Sequence, residues 1–320
     1  MSQTLELAVH AFQPMLPLAI GYSGGADSTA LLVACARKWP GMVRAIHVNH
    51  GLQTAADDFE RHCEAVCRGL GVELTICRVN AHPAKGQSPE AAARDARYAA
   101  FAEVVAQVSR EQDASLLIRT LALAHHADDQ METLLIALGR GAGLAGLSGM
   151  ARVWHRDGVN YARPLLSVSL LQIRNWLAEQ GVPHIDDPTN ALDRYTRNRI
   201  RHRLMPALRD LFPHAGETFA RSAAHAAQAD DLLTEFAQED LSKIGRPPAI
   251  VRLQGLSLAR QANVLRYWLK DRYKVIPSTA QLEELIRQVS VCRTKGHHIR
   301  LKVGSGYVLR EGETLAWYNL

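Results

Sequence analysis

Leu16-Pro-Leu-Ala-Ile-Gly-Tyr22, Ser23-Gly24-Gly25-Ala26-Asp27-Ser28 and Thr29-Ala-Leu-Leu-Val-Ala-Cys-Ala-Arg-Lys38 follow one another without a break. The first segment reads as a short buried strand and the last as a helix without a breaker. Between them, two glycines let a backbone come close to a bound group, while hydroxyls and a helix start supply donors. Such a loop is either a phosphate cradle or a plain strand-to-helix turn capped by Asp27 or Ser28. It has no lysine and so is not a G-x-x-x-x-G-K-[ST] loop. As a cradle it would place Asp27 as a hard oxygen ligand for Mg2+.

Outward from this stretch the pattern repeats. Residues 43–48, 72–79 and 116–124 read as further strands, and 57–69, 90–109 and 128–138 as helices. Strands alternating with helices predict an α/β fold, a doubly wound, mostly parallel, Rossmann-like sheet. Ligands of such sheets sit beyond the carboxyl ends of the strands, where residues 23–28, 47–51 and 125–132 all fall. At about 150 residues per domain, 320 residues suggest two. Pro213-His-Ala-Gly216 marks the boundary, giving units 1–215 and 216–320, the second smaller and largely helical. Helical stretches are expected at 217–241, 257–270 and 279–289, with short antiparallel strands over 298–318.

Hydrophobic residues make up 47% and charged residues 22%, which excludes a disordered or fibrous chain. The excess of 37 basic over 32 acidic residues, +5, permits a polyanionic partner without demanding one. Five cysteines with no C-x-x-C pair argue against a disulfide framework and a thiolate metal site. Cys63 and Cys67 are four apart, as core residues on one helix face would be, in a reducing compartment. Leu7 to Ala26 lacks charge, but Pro14, Pro17 and the glycines make it a poor membrane span. The amino end lacks the basic flank of a secretory signal, so the expected location is cytoplasmic, with no membrane partner.

Four more strings carry possible chemistry. In His125-His126-Ala-Asp128-Asp129-Gln-Met-Glu132-Thr, Asp129 and Glu132 project from one helix face near its start. They either complement the helix dipole or face a ligand. His47-Val-Asn49-His50-Gly51-Leu ends the second strand, where an adenosine or a second substrate would be met. Glu90, Arg94, Arg97 and Tyr98 share one face of a helix, by pattern alone a salt-bridged solvated face. Finally, Arg194, Arg197, Arg199, Arg201, Arg203 and Arg209 occur with no acidic residue between them. Guanidinium forks suit phosphate oxygens, and their number suggests a nucleic-acid backbone track, against a plain solvated face.

The order Ser-Gly-Gly-x-Asp-Ser resembles the PP-loop of ATP pyrophosphatases. Together with residues 47–52, 90–98, 125–133, 140–150, Arg163-Pro-Leu-Leu and 187–201, it resembles the tRNA(Ile)-lysidine synthases. The resemblance implies an ATP-dependent ligase acting on the wobble cytidine of tRNA(Ile) with a CAU anticodon. Oxygen on carbon 2 attacks the α-phosphate of ATP, pyrophosphate leaves, and the ε-amine of free lysine displaces AMP to give lysidine. It further implies that Ser23, Gly24, Gly25, Ala26, Asp27 and Ser28 bind ATP, with Asp27 on Mg2+. Asp129 and Glu132 would serve the lysine, and Arg94 or Arg97 would steady developing phosphate charge. Arg194, Arg197, Arg199, Arg201 and Arg203 would contact the tRNA. Gln53 stands where many relatives carry arginine, and by the resemblance a shorter form is expected, without the second carboxyl-terminal domain of longer relatives. No oligomeric state follows from the sequence; a homodimer is one option. Competing readings are another PP-loop tRNA-modifying enzyme, such as a thiolase or an amidotransferase subunit, and a non-catalytic RNA-binding module.

Overall fold

The computed structural model describes residues 4–49, 56–80, 89–110, 117–186, 195–294 and 296–319. The chain divides into two compact units, Met1–His225 and Ala226–Leu320. In the first, β1 (Leu18–Gly21), β2 (Val43–Asn49), β3 (Glu73–Arg78), β4 (Thr120–Ala122), β5 (Val153–Arg156) and β6 (Val159–Ala162) form one sheet in the order β3-β2-β1-β4-β6-β5. All neighbours are parallel except β5, which forms an antiparallel hairpin with β6 at the edge. The hairpin turns at Asp157 and Gly158, both with positive φ (50° and 78°).

Side chains alternate across the sheet because successive residues of a strand point to opposite faces. Leu18 and Ile20 pack with α1 (Leu5–Ala11), α2 (Ala26–Lys38), α3 (Ala56–Leu70) and α7 (Leu170–Gln180). Ala19, between them, packs on the other face with Phe101 and Val104 of α4 (Pro89–Arg110). Both faces are therefore covered, as a parallel sheet requires. Cys63 and Cys67 are buried on the sheet side of α3. No described helix is long and apolar enough to cross a membrane.

The strand order places the site. The chain runs outward from β1 through β2 to β3, then returns to lay β4 on the other side of β1. The segments leaving the carboxyl ends of β1 and β4 diverge there, and the crevice between them is where such sheets take ligands. One segment is the turn 22–25 into α2; the other is 123–126 into α5 (Ala127–Gly139). Helix α2 begins at Ala26, so Ala26, Asp27 and Ser28 form its first turn rather than extending the loop, because Gly25 already takes the extended cap conformation.

After α5 come α6 (Leu144–Leu147), β5, β6 and α7. A helical run follows, from α8 (Thr196–Arg199) through a π-helical turn (Ile200–Leu204) to α9 (Met205–Leu211). Helix α10 (Ala215–Ile244) starts at the expected domain boundary, but the two units part inside it. Its first turns bury Ala215 and Phe219 against Met131 and Met205 of the first unit. The second unit has its own core, built by α10, α11 (Ile250–Gln254), α12 (Leu258–Tyr273) and α13 (Thr279–Val291). These pack with a sheet of β7 (Arg300–Val303), β8 (Gly306–Glu311) and β9 (Thr314–Tyr318), antiparallel throughout.

Gly24 lies at φ +85°, and a Cβ there would sit 3.2 Å from Cys63 Sγ. Gly24→Ala is expected to cost about 1–2 kcal/mol from the left-handed backbone alone. Urea unfolding of the two proteins measures it; an unchanged midpoint would show that the turn relaxes freely.

Candidate active site

The turn after β1 is held by its own hydroxyls. Ser28 Oγ accepts from the Ser23 amide (3.1 Å), lies 3.0 Å from Ser23 Oγ and donates to Gly25 O (3.2 Å). Thr29 Oγ1 donates to Gly25 O at 2.8 Å. The Ile185 amide donates to Gly24 O at 3.0 Å, bracing the turn from the segment after α7. No side chain caps α2, so its leading amides are left for a ligand, and a helix start favours an anion. The predicted loop residues Ser23, Gly25, Ala26, Asp27 and Ser28 line a cavity of about 480 Å3. Gly24 is not among the lining residues and contributes the turn.

Opposite stands the start of α5, closed by a capping box between His126 and Asp129. The Asp129 amide reaches His126 Nδ1 at 3.4 Å, and Asp129 Oδ2 accepts from the His126 amide at 3.1 Å. His126 Nε2 lies 3.4 Å from both Asp27 Oδ2 and Asp129 Oδ2, joining the two loops. Burial works against charging this ring, but Asp129, Asp27 and Asp128 outweigh it and raise its pKa to about 9. Asp128 lies near the ring, its Oδ2 3.8 Å from His126 Nδ1, but does not line the cavity: its Oδ2 accepts from the Leu170 amide at 2.7 Å, and its Oδ1 pairs with Arg209.

Neighbouring His125 goes the other way. Burial lowers its pKa to about 4, against the pull of Asp129 and helped by the guanidiniums of Arg163, Arg97 and Arg197. Arg163 Nε donates to His125 Nδ1 at 3.2 Å and its Nη1 to Ala151 O at 2.7 Å. The same guanidinium lies 3.7 Å over the Trp154 ring, which stacks on Tyr161 at 4.9 Å.

Asp129 and Glu132 were expected side by side before a ligand, and the structure separates them. Asp129 lines the cavity. Glu132 does not: its side chain has 0% exposure, and Arg201 holds it with Nε at 2.7 Å and Nη2 at 3.1 Å. Arg197 Nε adds a contact at 3.4 Å. Burial pushes the Glu132 carboxyl up while the Arg201 hydrogen bonds pull it down. Its partners lie 65 and 69 residues away in sequence, so helical spacing could not reveal them.

The arginine run splits accordingly. Arg197 and Arg201 turn inward to Glu132, and Arg201 also lines the cavity, 3.6 Å from Asp129 Oδ1. Arg199 and Arg203 are exposed. Arg194 lies outside the described residues. Arg197 and Arg201 are four apart, as are Arg199 and Arg203, so each pair shares a helix face; the run passes through a π-helical turn in which the Met205 amide bonds to Ile200 O. Of the α4 pair, Arg97 lines the cavity, whereas Arg94 lies 5.7 Å over the Tyr98 ring and is not a lining residue.

From β2, His47 and Asn49 line the cavity, while His50 and Gly51 lie outside the described residues. His47 Nδ1 is 2.9 Å from Tyr22 O. Asn49 Nδ2 donates to Glu60 Oε1 at 2.6 Å, and Arg78 Nη2 to Glu60 Oε2 at 2.6 Å. This buried Glu60, held well below its ordinary pKa by Arg78 and then Asn49, carries no signal in the sequence pattern.

A parallel sheet whose switch point joins a Ser-Gly-Gly-x-Asp-Ser turn to an acidic helix start defines a PP-loop nucleotide-using protein. Residues 2–208 match the PP-loop domain family, and residues 249–315 match the TilS substrate binding domain. The chain is 55% identical to the tRNA(Ile)-lysidine synthase of Polaromonas naphthalenivorans (strain CJ2), over 94% of this chain and 89% of that protein. With its counterpart in Bordetella pertussis (strain Tohama I) it shares 39% identity over 98% of this chain and 100% of that one. It spans 60% of the Burkholderia pseudomallei (strain K96243) relative, at 40% identity. The chain belongs to the tRNA(Ile)-lysidine synthase family. Among solved structures, the U34-tRNA thiolase NcsA from Methanococcus maripaludis shares the fold at a TM-score of 0.55 and 16% identity, over 69% of this chain and 76% of that one.

Removing one partner of a buried ion pair strands the other. Arg201→Met is expected to cost about 3 kcal/mol, the low end of such losses because Arg201 keeps 28% exposure. Arg201→Met combined with Glu132→Leu should recover much of it. A double-mutant cycle by denaturant unfolding measures the coupling, and additive losses would show that the pair is not coupled.

Proposed function

We propose that the protein is an ATP-dependent ligase that joins lysine to carbon 2 of the wobble cytidine of tRNA(Ile), through an adenylated tRNA, releasing pyrophosphate and AMP. The observation that carries this is the shared cavity, in which the uncapped start of α2 faces Asp129, Arg97 and Arg201. The turn 23–28 and the α2 amides hold the ATP phosphates. Arg97 and Arg201 face negative charge as it develops on the α-phosphoryl group. An ammonium is no nucleophile, and Asp129 is the carboxylate placed to orient the lysine and accept a proton as the amine attacks. Glu132 serves the lysine indirectly, by fixing Arg201 beside Asp129.

The site fits a divalent cation at one atom. Asp27 Oδ1 is buried at the nucleotide turn without a hydrogen-bond partner among the described residues, which suits a hard oxygen ligand. Mg2+ held there would neutralise phosphate charge. The thiolase reading finds no support among the described residues, since no cysteine lines the cavity. Burial pushes the Cys35, Cys63 and Cys67 thiols up to about 12, 12 and 11, away from the reactive thiolate.

Rapid quenching that resolves adenylated tRNA from lysidine-containing tRNA tests the assignment. Asp27→Ala is expected to block pyrophosphate release. Asp129→Asn should still form adenylated tRNA while its lysine requirement rises by about one to two decades, one charge-assisted hydrogen bond's worth. Pyrophosphate release unaffected in the first variant, or adenylation blocked in the second, would refute these roles.

The exposed arginines are proposed to meet the tRNA backbone. Replacing Arg199 and Arg203 with Ala should flatten the salt dependence of tRNA binding by about one unit of slope per lost contact. ATP affinity should stay unchanged. An unaltered slope in filter-binding titrations would return both to a solvated face.

A further inference from the structure

His125 lines the cavity beside Asp129, yet one of its ring nitrogens is already committed. Arginine is a donor only, so Nδ1, facing Arg163 Nε at 3.2 Å, must be the unprotonated nitrogen. The neutral ring then carries its hydrogen on Nε2, for which the described residues provide no partner. Arg163 cannot easily move: it is 4% exposed, bonded to Ala151 O and seated on Trp154. We propose that His125 is a fixed neutral hydrogen-bond donor for an oxygen of the α-phosphoryl group, and that Arg163 is the positioning residue that enforces its tautomer. This rests on the ligase reading above.

The surroundings favour a donor over a base. Arg163 from the β6 end, Arg97 from α4 and Arg197 from α8 all disfavour a proton on the ring, and Asp129 of α5 favours it. Burial prevails, helped by the guanidiniums, so the ring does not take the lysine proton. A neutral donor is useful there for a physical reason. It offers a directed hydrogen bond to a phosphoryl oxygen without a charge that would repel the incoming lysine ammonium. His125 adjoins His126, which touches Asp27 at the nucleotide turn, so the donor stands between nucleotide and lysine.

Two measurements decide. In histidine nitrogen NMR, assigned by the loss of one signal in His125→Gln, His125 of the wild-type protein is expected to remain the Nε2–H tautomer from about pH 5 to 8. In Arg163→Met, where Nδ1 is no longer held as an acceptor, the Nδ1–H tautomer should become populated and the pKa should rise, while burial keeps it below the ordinary value of about 6.5. In the wild-type protein, an Nδ1–H tautomer or a titration within that pH range overturns the proposal. In single-turnover assays, His125→Asn should slow AMP release about 10²–10³-fold, with the lysine requirement unchanged. His125→Gln, whose amide reaches the Nε2 position, should recover most of that loss. A proton-accepting histidine would be lost equally in both variants, and equal loss overturns the donor role. If the wild-type protein makes no lysidine, the ligase reading fails while the NMR result on the tautomer still stands.

Discussion

The site hangs on His126. Its ring, 2% exposed, lies within 3.4 Å of a carboxylate from each of the two segments that diverge at the switch point. Sheet topology brings the carboxyl ends of β1 and β4 together, but only a side-chain bridge sets the distance between the segments leaving them. The bridge is strained in its charge. Nδ1 accepting the Asp129 amide requires a ring unprotonated at that nitrogen, while three carboxylates pull toward a second proton. The capping box and the full positive charge therefore compete for Nδ1, and the carboxylates favour the charge.

Two adjacent histidines thus acquire opposite proton affinities from one low-dielectric setting. Burial disfavours charge on both, and the neighbours decide the outcome. His126 faces Asp27, Asp128 and Asp129; His125 faces Arg163, Arg97 and Arg197. The first turn of α5 therefore separates an acidic side from a basic one within consecutive residues. A reaction that joins a polyanion to a cation needs both kinds of surface within one cavity.

Much of this was legible in the sequence, and the omissions have physical causes. The alternation of strands and helices from Leu16 to Leu138 gave the parallel sheet, because short-range periodicity is what burial on two faces imposes. The β5–β6 hairpin went unread although Asp157-Gly158, flanked by Val153-Trp154 and Val159, is a strong turn signal. Asp129 was recognisable from its place on a helix start after a strand. Glu132 was not separable from it, since three-residue spacing shows a shared face but not how deep each residue lies. The inward turn of Arg197 and Arg201 depends on Glu132, a partner far along the chain. Glu60 was invisible for the same reason, because Asn49 and Arg78 meet it from two strands.

The charge arrangement is built before any ligand arrives. Glu132 has Arg201 and Arg197, Asp128 has Arg209 and a backbone amide, and Asp129 has the His126 amide and ring. Taking these carboxylates out of water is costly, and each is offset by a donor that the fold supplies. Asp27 is the exception: Oδ2 has the His126 ring, whereas Oδ1 is buried with no partner among the described residues. A buried carboxylate oxygen left bare is disfavoured in the free protein and stabilised once a cation or a donor reaches it. Among these carboxylates the unmet demand therefore lies at the nucleotide turn, where a cation or a hydrogen-bond donor arriving with a ligand would stabilise the fold.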